Sequence, residues 1–353
     1  SVVLTATASA EGKGFYADGQ LKWEYLFQDG EISEAELTAM AGDAYAGFDD
    51  PAIAPLVKLN DDIHILELFH GPTIAFKDYA MQFLARAFDR ALAKKQQHAV
   101  ILGATSGDTG SAALEAFQGR DAVDVFILFP DGRVSPVQQR QMTSVIADGA
   151  FAVSVKGDFD DCQALVKTLF NDHQFRDQVG LSAVNSINWA RLMPQIVYYF
   201  SSALALGAPD QKVAFSVPTG NFGNVFAGYA AVQMGLPVER LIVATNVNDI
   251  LHRALAKGDY SIGEVTPTAA PSMDIQVSSN FERLLYDLEG RDGSTTAARM
   301  KWFEQMGKMV LSSDMRRKAA LLASARADSA EMSGAMRWAW DHCGQIIDPH
   351  TAI

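Results

Sequence analysis

One lysine stands directly behind an apolar run and a glycine–proline turn, in the segment HGPTIAFKD at positions 70–78. Most lysines are solvated and structural, and they need no such setting. A lysine that burial desolvates has a lowered pKa and can act as a nucleophile toward carbonyl groups. The setting of Lys77 therefore leaves two interpretations, a structural lysine or a reactive amine.

A second segment, GATSGDTG at 103–110, carries hydroxyls and glycines where an apolar run gives way to a helical pattern. Backbone N–H groups and hydroxyls at the start of a helix form a site for anions. The alternative is a tight turn with an ordinary Ser or Asp helix cap. We favour the anion site, because a turn alone does not need the additional hydroxyls.

A third segment, PTGNFGN at 218–224, also joins an apolar run to a helical pattern. It is neither a P-loop nor a GxGxxG fingerprint, and it is either a structural turn or a phosphate site made of main-chain N–H groups. Near such a site, Lys77 could form a Schiff base with an aldehyde whose phosphate the loop holds. Pyridoxal phosphate is such an aldehyde.

A fourth segment, NSINWAR at 185–191, places two amides, a hydroxyl and an arginine together. Arg191 could bind a carboxylate or a phosphate through two parallel hydrogen bonds. Alternatively, the segment is a capped helix start whose arginine makes a surface ion pair. His70 and His350 are each open to a role in a site, and for His70 a structural role is favoured.

Several classes of function lack support in the sequence. The net charge of -13 disfavours nucleic-acid and anionic-membrane surfaces. The only cysteines are Cys162 and Cys343, so we expect a reducing, cytoplasmic setting and no metal site. No apolar run is long enough for a transmembrane helix, and the N-terminus is not expected to be a signal peptide. No Ser-His-Asp order and no HExxH motif is present.

Alternating strand and helix patterns must position these segments. Apolar runs typical of strands fall at 63–69, 98–104, 124–130, 151–155, 181–186, 212–217 and 240–246. Helical patterns cover 31–48 and 78–95, and further helical patterns follow the later apolar runs. The stretch from 286 to 344 is expected to be helical and charged. This order predicts an α/β fold with parallel sheets flanked by helices, and such folds bind ligands at the carboxyl ends of their strands.

Taken in order, HGPTIAFKD, GATSGDTGSAA, NSINWAR and VPTGNFGN resemble the threonine synthase family, whose members are fold-type-II pyridoxal-phosphate enzymes. The segments at 126–142, 244–251 and 271–285 match the family as well, and so does IIDPHTA near the end. The resemblance implies two open, parallel-type sheets of the kind found in the tryptophan synthase β subunit. It also implies an N-terminal helical segment at 1–60, a large cofactor-binding domain made of 61–95 and 205–353, and a small substrate-side domain at 96–204.

The resemblance also assigns roles to residues. Lys77 takes the position of the Schiff-base lysine and is the expected catalytic residue. The expected cofactor-binding residues are Lys77, Asp108, Gly220, Asn221, Phe222, Gly223 and Asn224. The expected substrate-binding residues are Thr105, Ser106, Thr109, Asn185, Ser186, Asn188 and Arg191. The first three of these would hold the substrate carboxylate, and the others would face its phosphate.

Three features depart from the family pattern. The phosphate loop ends in GNFGN where the family commonly has GNFGD, a change that we expect to be tolerated. The first 30 residues do not match the usual opening. The chain stops at DPHTAI where relatives continue, so we expect a shortened C-terminus that lacks the partner of the cofactor's pyridine nitrogen.

The reaction implied is the conversion of O-phospho-L-homoserine and water into L-threonine and phosphate, the last step of threonine biosynthesis. We expect a cytoplasmic monomer or homodimer that binds this small molecule, without nucleic-acid or membrane partners. Alternatives are a lyase that forms 2-oxobutyrate and ammonia from the same substrate, a serine/threonine dehydratase, and a non-catalytic truncated relative. A nicotinamide-dependent dehydrogenase is a weaker alternative than these, because the glycine fingerprint of such enzymes is absent from the sequence.

Overall fold

Strands and helices alternate along the chain as the sequence predicts, and they group into two compact units. The computed structural model describes residues 32–105, 107–145 and 147–353. Among these, unit 1 contains 32–55 and 66–194, and unit 2 contains 56–65 and 195–353. The domain boundaries drawn from the family resemblance, which group 61–95 with 205–353, are a different partition and stay a prediction.

The strands of the described residues are named in chain order. They are β1 (Leu56–Lys58), β2 (His64–Leu66), β3 (Ala99–Ala104), β4 (Val123–Pro130), β5 (Ala150–Val155), β6 (Leu181–Ser182), β7 (Val213–Pro218), β8 (Val238–Thr245), β9 (Asp259–Ser261), β10 (Lys308–Val310) and β11 (Leu322–Arg326).

The helices are named in the same way. They are α1 (Glu34–Tyr45), α2 (Lys77–Lys95), α3 (Asp108–Phe117), α4 (Pro136–Thr143), α5 (Phe159–Asn171), α6 (His173–Val179), α7 (Trp189–Ala205), α8 (Gly223–Gln233), α9 (Ile250–Lys257), α10 (Phe281–Leu288), α11 (Gly293–Met306), α12 (Ser313–Lys318) and α13 (Ser329–Cys343). None of the described helices is both long enough and apolar enough to cross a membrane.

Unit 1 is built on a four-stranded sheet of order β5-β4-β3-β6, in which every pair is parallel. Its central strands are nearly continuous apolar runs, as expected for strands that are covered on both faces. Ile101 and Val125 pack with Leu114 and Phe117 of α3 in one buried cluster, and Leu102 and Leu128 pack with Cys162 of α5 in another. β3 ends at Ala104, and the polar loop that contains Thr105 begins there.

Unit 2 contains a parallel sheet of order β11-β8-β7, together with an antiparallel pair, β9 and β10. The prediction of two open parallel sheets flanked by helices is confirmed. The prediction that 286–344 is all helical is wrong, because β10 and β11 lie in it. The run LASAR of β11 consists mostly of small residues, and its pairing with β8 decides its structure.

The strand predicted at 181–186 is also shorter than expected, since β6 ends at Ser182. The following residues turn into α7 instead of continuing along the sheet edge. Here Asn188 caps the helix, because its Oδ1 accepts a hydrogen bond from the N–H of Ala190 at 3.0 Å.

Candidate active site

The turn that precedes Lys77 is held by the next residue along, Asp78. The buried carboxylate of Asp78 accepts hydrogen bonds from the N–H and the hydroxyl of Thr73, both at 2.7 Å. A Cβ on Gly71 would lie 2.4 Å from the Cβ of Asp78, so this close approach requires glycine. Ile74, an exposed β-branched residue, has φ +59°, a conformation that costs energy and that clusters at functional sites.

Lys77 is the first residue of α2, and only 12% of its side chain is exposed. Its Nζ donates a hydrogen bond to Oδ2 of Asp108 at 3.0 Å. Burial lowers the pKa of Lys77 below its ordinary value, and the nearby positive charge of Arg191 lowers it further, whereas Asp108 opposes the change. The amine is therefore closer to its neutral form than a solvated lysine is.

The first polar loop begins where β3 ends, and the hydroxyl of Thr105 organises it. This hydroxyl accepts hydrogen bonds at 3.0 Å from the N–H groups of Gly107 and Gly110, and it donates one to the carbonyl of Gly107. Helix α3 then starts at Asp108 without a side-chain cap. Thr109 is partly buried in the first turn, and Ser106 lies outside the described residues.

The segment after β6 brings Arg191 into the interior of unit 1. Only 6% of Arg191 is exposed, and its Nη1 donates a hydrogen bond to the carbonyl of Val184 at 3.0 Å. Burial lowers the pKa of Arg191 to about 10. Asn185 is exposed, Ser186 and Asn188 are partly buried, and the carbonyl of Asn185 accepts the N–H of Asn188.

The glycine-rich loop of unit 2 turns its carbonyl groups toward residues 278–280. The carbonyl of Gly220 accepts the hydroxyl of Ser278 at 2.8 Å, and the carbonyl of Asn221 accepts the N–H of Asn280 at 3.1 Å. In a trans peptide the N–H points away from the C=O. The N–H groups of Asn221 and Phe222 therefore face the opposite side of the loop.

The start of α8 completes this arrangement of N–H groups. Phe222 is buried in the left-handed conformation at φ +62°, and no side chain caps the helix that begins at Gly223. A Cβ on Gly220 would lie 2.7 Å from the carbonyl oxygen of Ser272. Three features of this loop fit the phosphate of a cofactor. Its N–H groups face one side, its helix starts without a side-chain cap, and its glycine at position 220 has no space for a side chain.

Asn224 is held by two tyrosines of α7. Its Oδ1 accepts hydrogen bonds from the hydroxyl of Tyr198 at 2.7 Å and from that of Tyr199 at 2.8 Å. Both donors would serve a carboxylate equally well, so the asparagine found here and the aspartate common in the family can make the same contacts.

The structure brings together the predicted residues within each unit. Unit 1 holds Lys77 beside Asp108, and the positive charge of Arg191 is close enough to lower the pKa of Lys77. Unit 2 holds 218–224 as a single loop. Among the described residues, no cluster of histidine, cysteine and acidic side chains has the arrangement of a metal site.

Sequence reasoning missed the residues that hold these groups in position. Asp78 follows the lysine directly, but the sequence pattern predicts only a helix there. Gln138 donates from its Nε2 to Oδ1 of Asp108, and it lies in 126–142, where neither the helical pattern nor the match to the family assigns it a role. Ser278 and Asn280 lie in the segment 271–285, whose match to the family pattern was the one available signal.

The histidine that opens the lysine segment is structural. The ring of His70 lies between two carboxylates, with Nδ1 at 2.6 Å from Asp49 and Nε2 at 2.9 Å from Glu67. Burial alone would lower the pKa of His70, but hydrogen bonds to Glu67 and Asp49 outweigh it and raise the pKa above its ordinary value.

Comparison with known proteins gives consistent matches. The family described as pyridoxal-phosphate dependent enzyme matches residues 51–313. A threonine synthase of Pseudomonas aeruginosa is 51% identical over 328 residues, which cover 93% of this chain and 70% of that protein. The crystal structure of PLP-bound threonine synthase from Brucella melitensis superposes with a TM-score of 0.90 at 53% identity, covering 92% of this chain and 70% of that one. Threonine synthase from yeast gives a TM-score of 0.87 at 40% identity, with coverages of 94% and 70%.

Proposed function

Because this chain belongs to the threonine synthase family of pyridoxal-phosphate-dependent enzymes, we propose that it converts O-phospho-L-homoserine and water into L-threonine and phosphate. In this reaction the bond between Cγ and the phosphate oxygen breaks, Cβ loses one proton, and Cγ gains one proton and becomes a methyl group. The hydroxyl of water bonds to Cβ, and the remaining proton of water goes to the released phosphate. The 51% identity with a threonine synthase over 328 residues carries the proposal.

Lys77 is the proposed catalytic residue. Pyridoxal phosphate, the cofactor of the family, supplies an electron sink that stabilises negative charge at Cα of a bound amino acid. Lys77 carries this cofactor and removes the proton from Cα of the substrate. Its desolvated Nζ suits that role, because a lowered pKa makes the neutral, basic form of the amine more accessible than in a solvated lysine.

The remaining cofactor contacts come from Asp108 and from the loop Gly220, Asn221, Phe222, Gly223 and Asn224. Asp108 hydrogen-bonds Nζ of Lys77 and so influences whether the amine is charged. The main-chain N–H groups of the loop hold the cofactor phosphate, which is supported by the carbonyl contacts to Ser278 and Asn280 on the opposite side of the loop.

The proposed substrate contacts are of two kinds. Thr105, Ser106 and Thr109 hold the carboxylate of the substrate near the start of α3, where the helix dipole favours an anion. The residues proposed to face the substrate phosphate are Asn185, Ser186, Asn188 and Arg191. The buried guanidinium of Arg191 is the strongest support for the phosphate contacts, because a buried positive charge is expected to lie next to an anion.

Replacement of Lys77 tests the assignment directly. We expect Lys77→Ala to lower turnover by at least about a hundredfold, because it removes both the attachment point of the cofactor and the base. The measurement is the release of threonine and of phosphate in equal amounts from O-phospho-L-homoserine. Lys95→Ala, at the exposed C-terminal end of α2, is the matched control and should retain turnover.

Other outcomes would contradict the proposal. A Lys77→Ala protein that keeps both the visible absorbance of its bound cofactor and its turnover would refute the role of Lys77. Formation of 2-oxobutyrate and ammonia by the unaltered chain would instead favour a lyase or a dehydratase. A chain that binds no added cofactor would be a non-catalytic relative.

The compartment and the assembly also belong to the proposal. A cytoplasmic location is supported by two cysteines that are both free, one of them buried. We propose a monomer or a homodimer, and light scattering of the purified chain distinguishes these two states from larger assemblies.

A further inference from the structure

The amide of Gln138 connects α4 to the reactive amine through Asp108. Gln138 is the third residue of α4, and its carbonyl oxygen Oε1 accepts the hydroxyl of Ser135 at 2.9 Å. The backbone N–H of Gln138 donates in turn to the hydroxyl of Ser135 at 3.2 Å. These contacts fix the orientation of the amide, so that Nε2 is the end that donates to Oδ1 of Asp108.

The carboxylate of Asp108 therefore has a different donor on each oxygen. Oδ1 accepts from the neutral amide of Gln138, and Oδ2 accepts from Nζ of Lys77 at 3.0 Å. A carboxylate that is held at one oxygen cannot rotate its other oxygen away from a partner without breaking the first contact. The amide thus restricts Asp108 to the orientation in which it faces Lys77.

Gly107 supplies independent support for this connection. A Cβ at Gly107 would lie 2.4 to 2.6 Å from the carbon, oxygen and nitrogen atoms of the Gln138 amide. Any side chain at this position would displace the amide from the loop. The glycine that precedes Asp108 therefore leaves the space that the amide occupies.

We propose that Gln138 is a positioning residue that acts through Asp108 to set the charge of the Lys77 amine, an inference that rests on the proposed function. The charged groups that face Lys77 are Asp108, Asp78 and Arg191. Asp78 is already held by Thr73, and Arg191 donates to Val184. Asp108 is accordingly the charged group among these to which a side chain of α4 is seen to donate directly.

The experiment measures the reactivity of Lys77 without cofactor or substrate. The full chain, freed of cofactor, is labelled with limiting acetic anhydride across a range of pH, and mass spectrometry follows the peptide that contains Lys77. Gln138→Met keeps the length of the side chain but removes the donor. Gln138→Glu keeps its shape, suits the third position of a helix and adds a negative charge.

We expect Gln138→Met to shift the labelling profile more than Gln138→Glu does. In Gln138→Met, Asp108 loses the contact that holds its Oδ1, so its other oxygen is held less firmly against Lys77 and the pKa of Lys77 falls. A fall of one unit makes labelling roughly tenfold faster at a fixed pH below the pKa. Gln138→Glu removes the donor as well, but its added charge favours the ammonium form, so labelling should speed up less than in Gln138→Met. Asp108→Asn is the reference and should also speed labelling, and Gln139→Met, on the same helix, should leave it unchanged.

Any other result overturns the proposal. Unchanged or slower labelling in Gln138→Met, or faster labelling in Gln138→Glu than in Gln138→Met, would mean that Gln138 only supports the local fold. An unchanged labelling profile in Asp108→Asn would also overturn the proposal. A shift in Gln139→Met as large as that in Gln138→Met would do so as well. Since no turnover is measured, a failure of the proposed reaction would appear only in the product assay.

Discussion

Single side chains around Lys77 and the phosphate loop are fixed by partners that come from distant parts of the sequence. The Nζ of Lys77 meets a carboxylate 31 residues later, and the two tyrosines that hold Asn224 precede it by 26 and 25 residues. Asp78, by contrast, is held by Thr73 five residues before it, and His70 contacts both a nearby residue, Glu67, and a more distant one, Asp49. The sequence marks some of these residues as candidates for the site, and these contacts fix the orientations of their side chains.

The carboxylate pair around His70 gives a stability that depends on pH. The folded pKa of His70 is raised, so its contribution is complete below the unfolded value of about 6.5 and is lost as the pH rises through the folded value. We expect His70→Gln to lower the free energy of unfolding by about 1 kcal/mol at pH 6 and by less at pH 9, since Asp49 is exposed and screened by solvent. Urea unfolding at both values measures this.

The matched control for that experiment is His173→Gln, on an exposed histidine at the start of α6. Its effect should be small and similar at the two pH values. An effect of His70→Gln that grows from pH 6 to pH 9 would contradict the role of its charged form.

Asn224 gives a second prediction at this scale. Replacement by leucine removes the acceptor of the Tyr198 and Tyr199 hydroxyls, so we expect a loss of about 1 to 3 kcal/mol in the free energy of unfolding. Replacement by aspartate keeps the acceptor and should retain most of that free energy. Chemical denaturation of both variants compares them, and equal losses would show that the hydrogen bonds do not matter.

At the scale of elements, the two starts of helices α3 and α8 share one design. Each follows a parallel strand, and neither has a side-chain cap. N–H groups at such starts that no side chain holds are available to ligands, although in α3 the hydroxyl of Thr105 already holds the N–H of Gly110. Helices α5 and α13 instead close their starts with capping boxes. Helices α2, α9 and α10 also begin without a side-chain cap, so an open start is shared by the proposed binding loops but does not by itself identify them.

The loop before α8 depends on the absence of a side chain at Gly220. We expect Gly220→Ala to weaken pyridoxal-phosphate binding at least about tenfold, a change near 1.4 kcal/mol, since the new Cβ must push the loop away from Ser272. Spectroscopic titration of the cofactor measures this affinity.

Gly334→Ala in α13 provides the comparison, because a Cβ there meets nothing within 4 Å. It should leave cofactor affinity unchanged and should stabilise the helix by about 0.5 to 1 kcal/mol. If Gly220→Ala binds the cofactor as tightly as the unaltered chain, the close approach to Ser272 has no functional importance.

At the scale of the whole molecule, the sequence predicts the class of fold and the polar loops well. Strands such as β3 and β4 are continuous apolar runs, and each polar loop follows one, so position alone marked 103–110 and 218–224. The proposed roles of Lys77 and Asp108 depend on the family resemblance, because a lysine or an aspartate alone has many uses.

What could not be predicted depends on tertiary contacts. Gln138 lies in 126–142, which matches the family, but that match assigns it no role, and its contact with Asp108 is visible only once α4 lies against Asp108. β11 was missed because small residues carry little strand preference until β8 pairs with them. Asp78 was missed because a carboxylate at a helix start usually interacts with N–H groups nearby and rarely holds the preceding turn.

The pairing of β8 with β11 also bears on how the chain leaves the ribosome. The hydroxyl of Thr245 at the end of β8 bonds the carbonyl of Ala325, 80 residues further along. Until β11 is synthesised, one edge of β8 has no partner, and an exposed strand edge can recruit other chains. Nascent chains that pause before residue 322 should therefore be the ones that chaperones protect from aggregation.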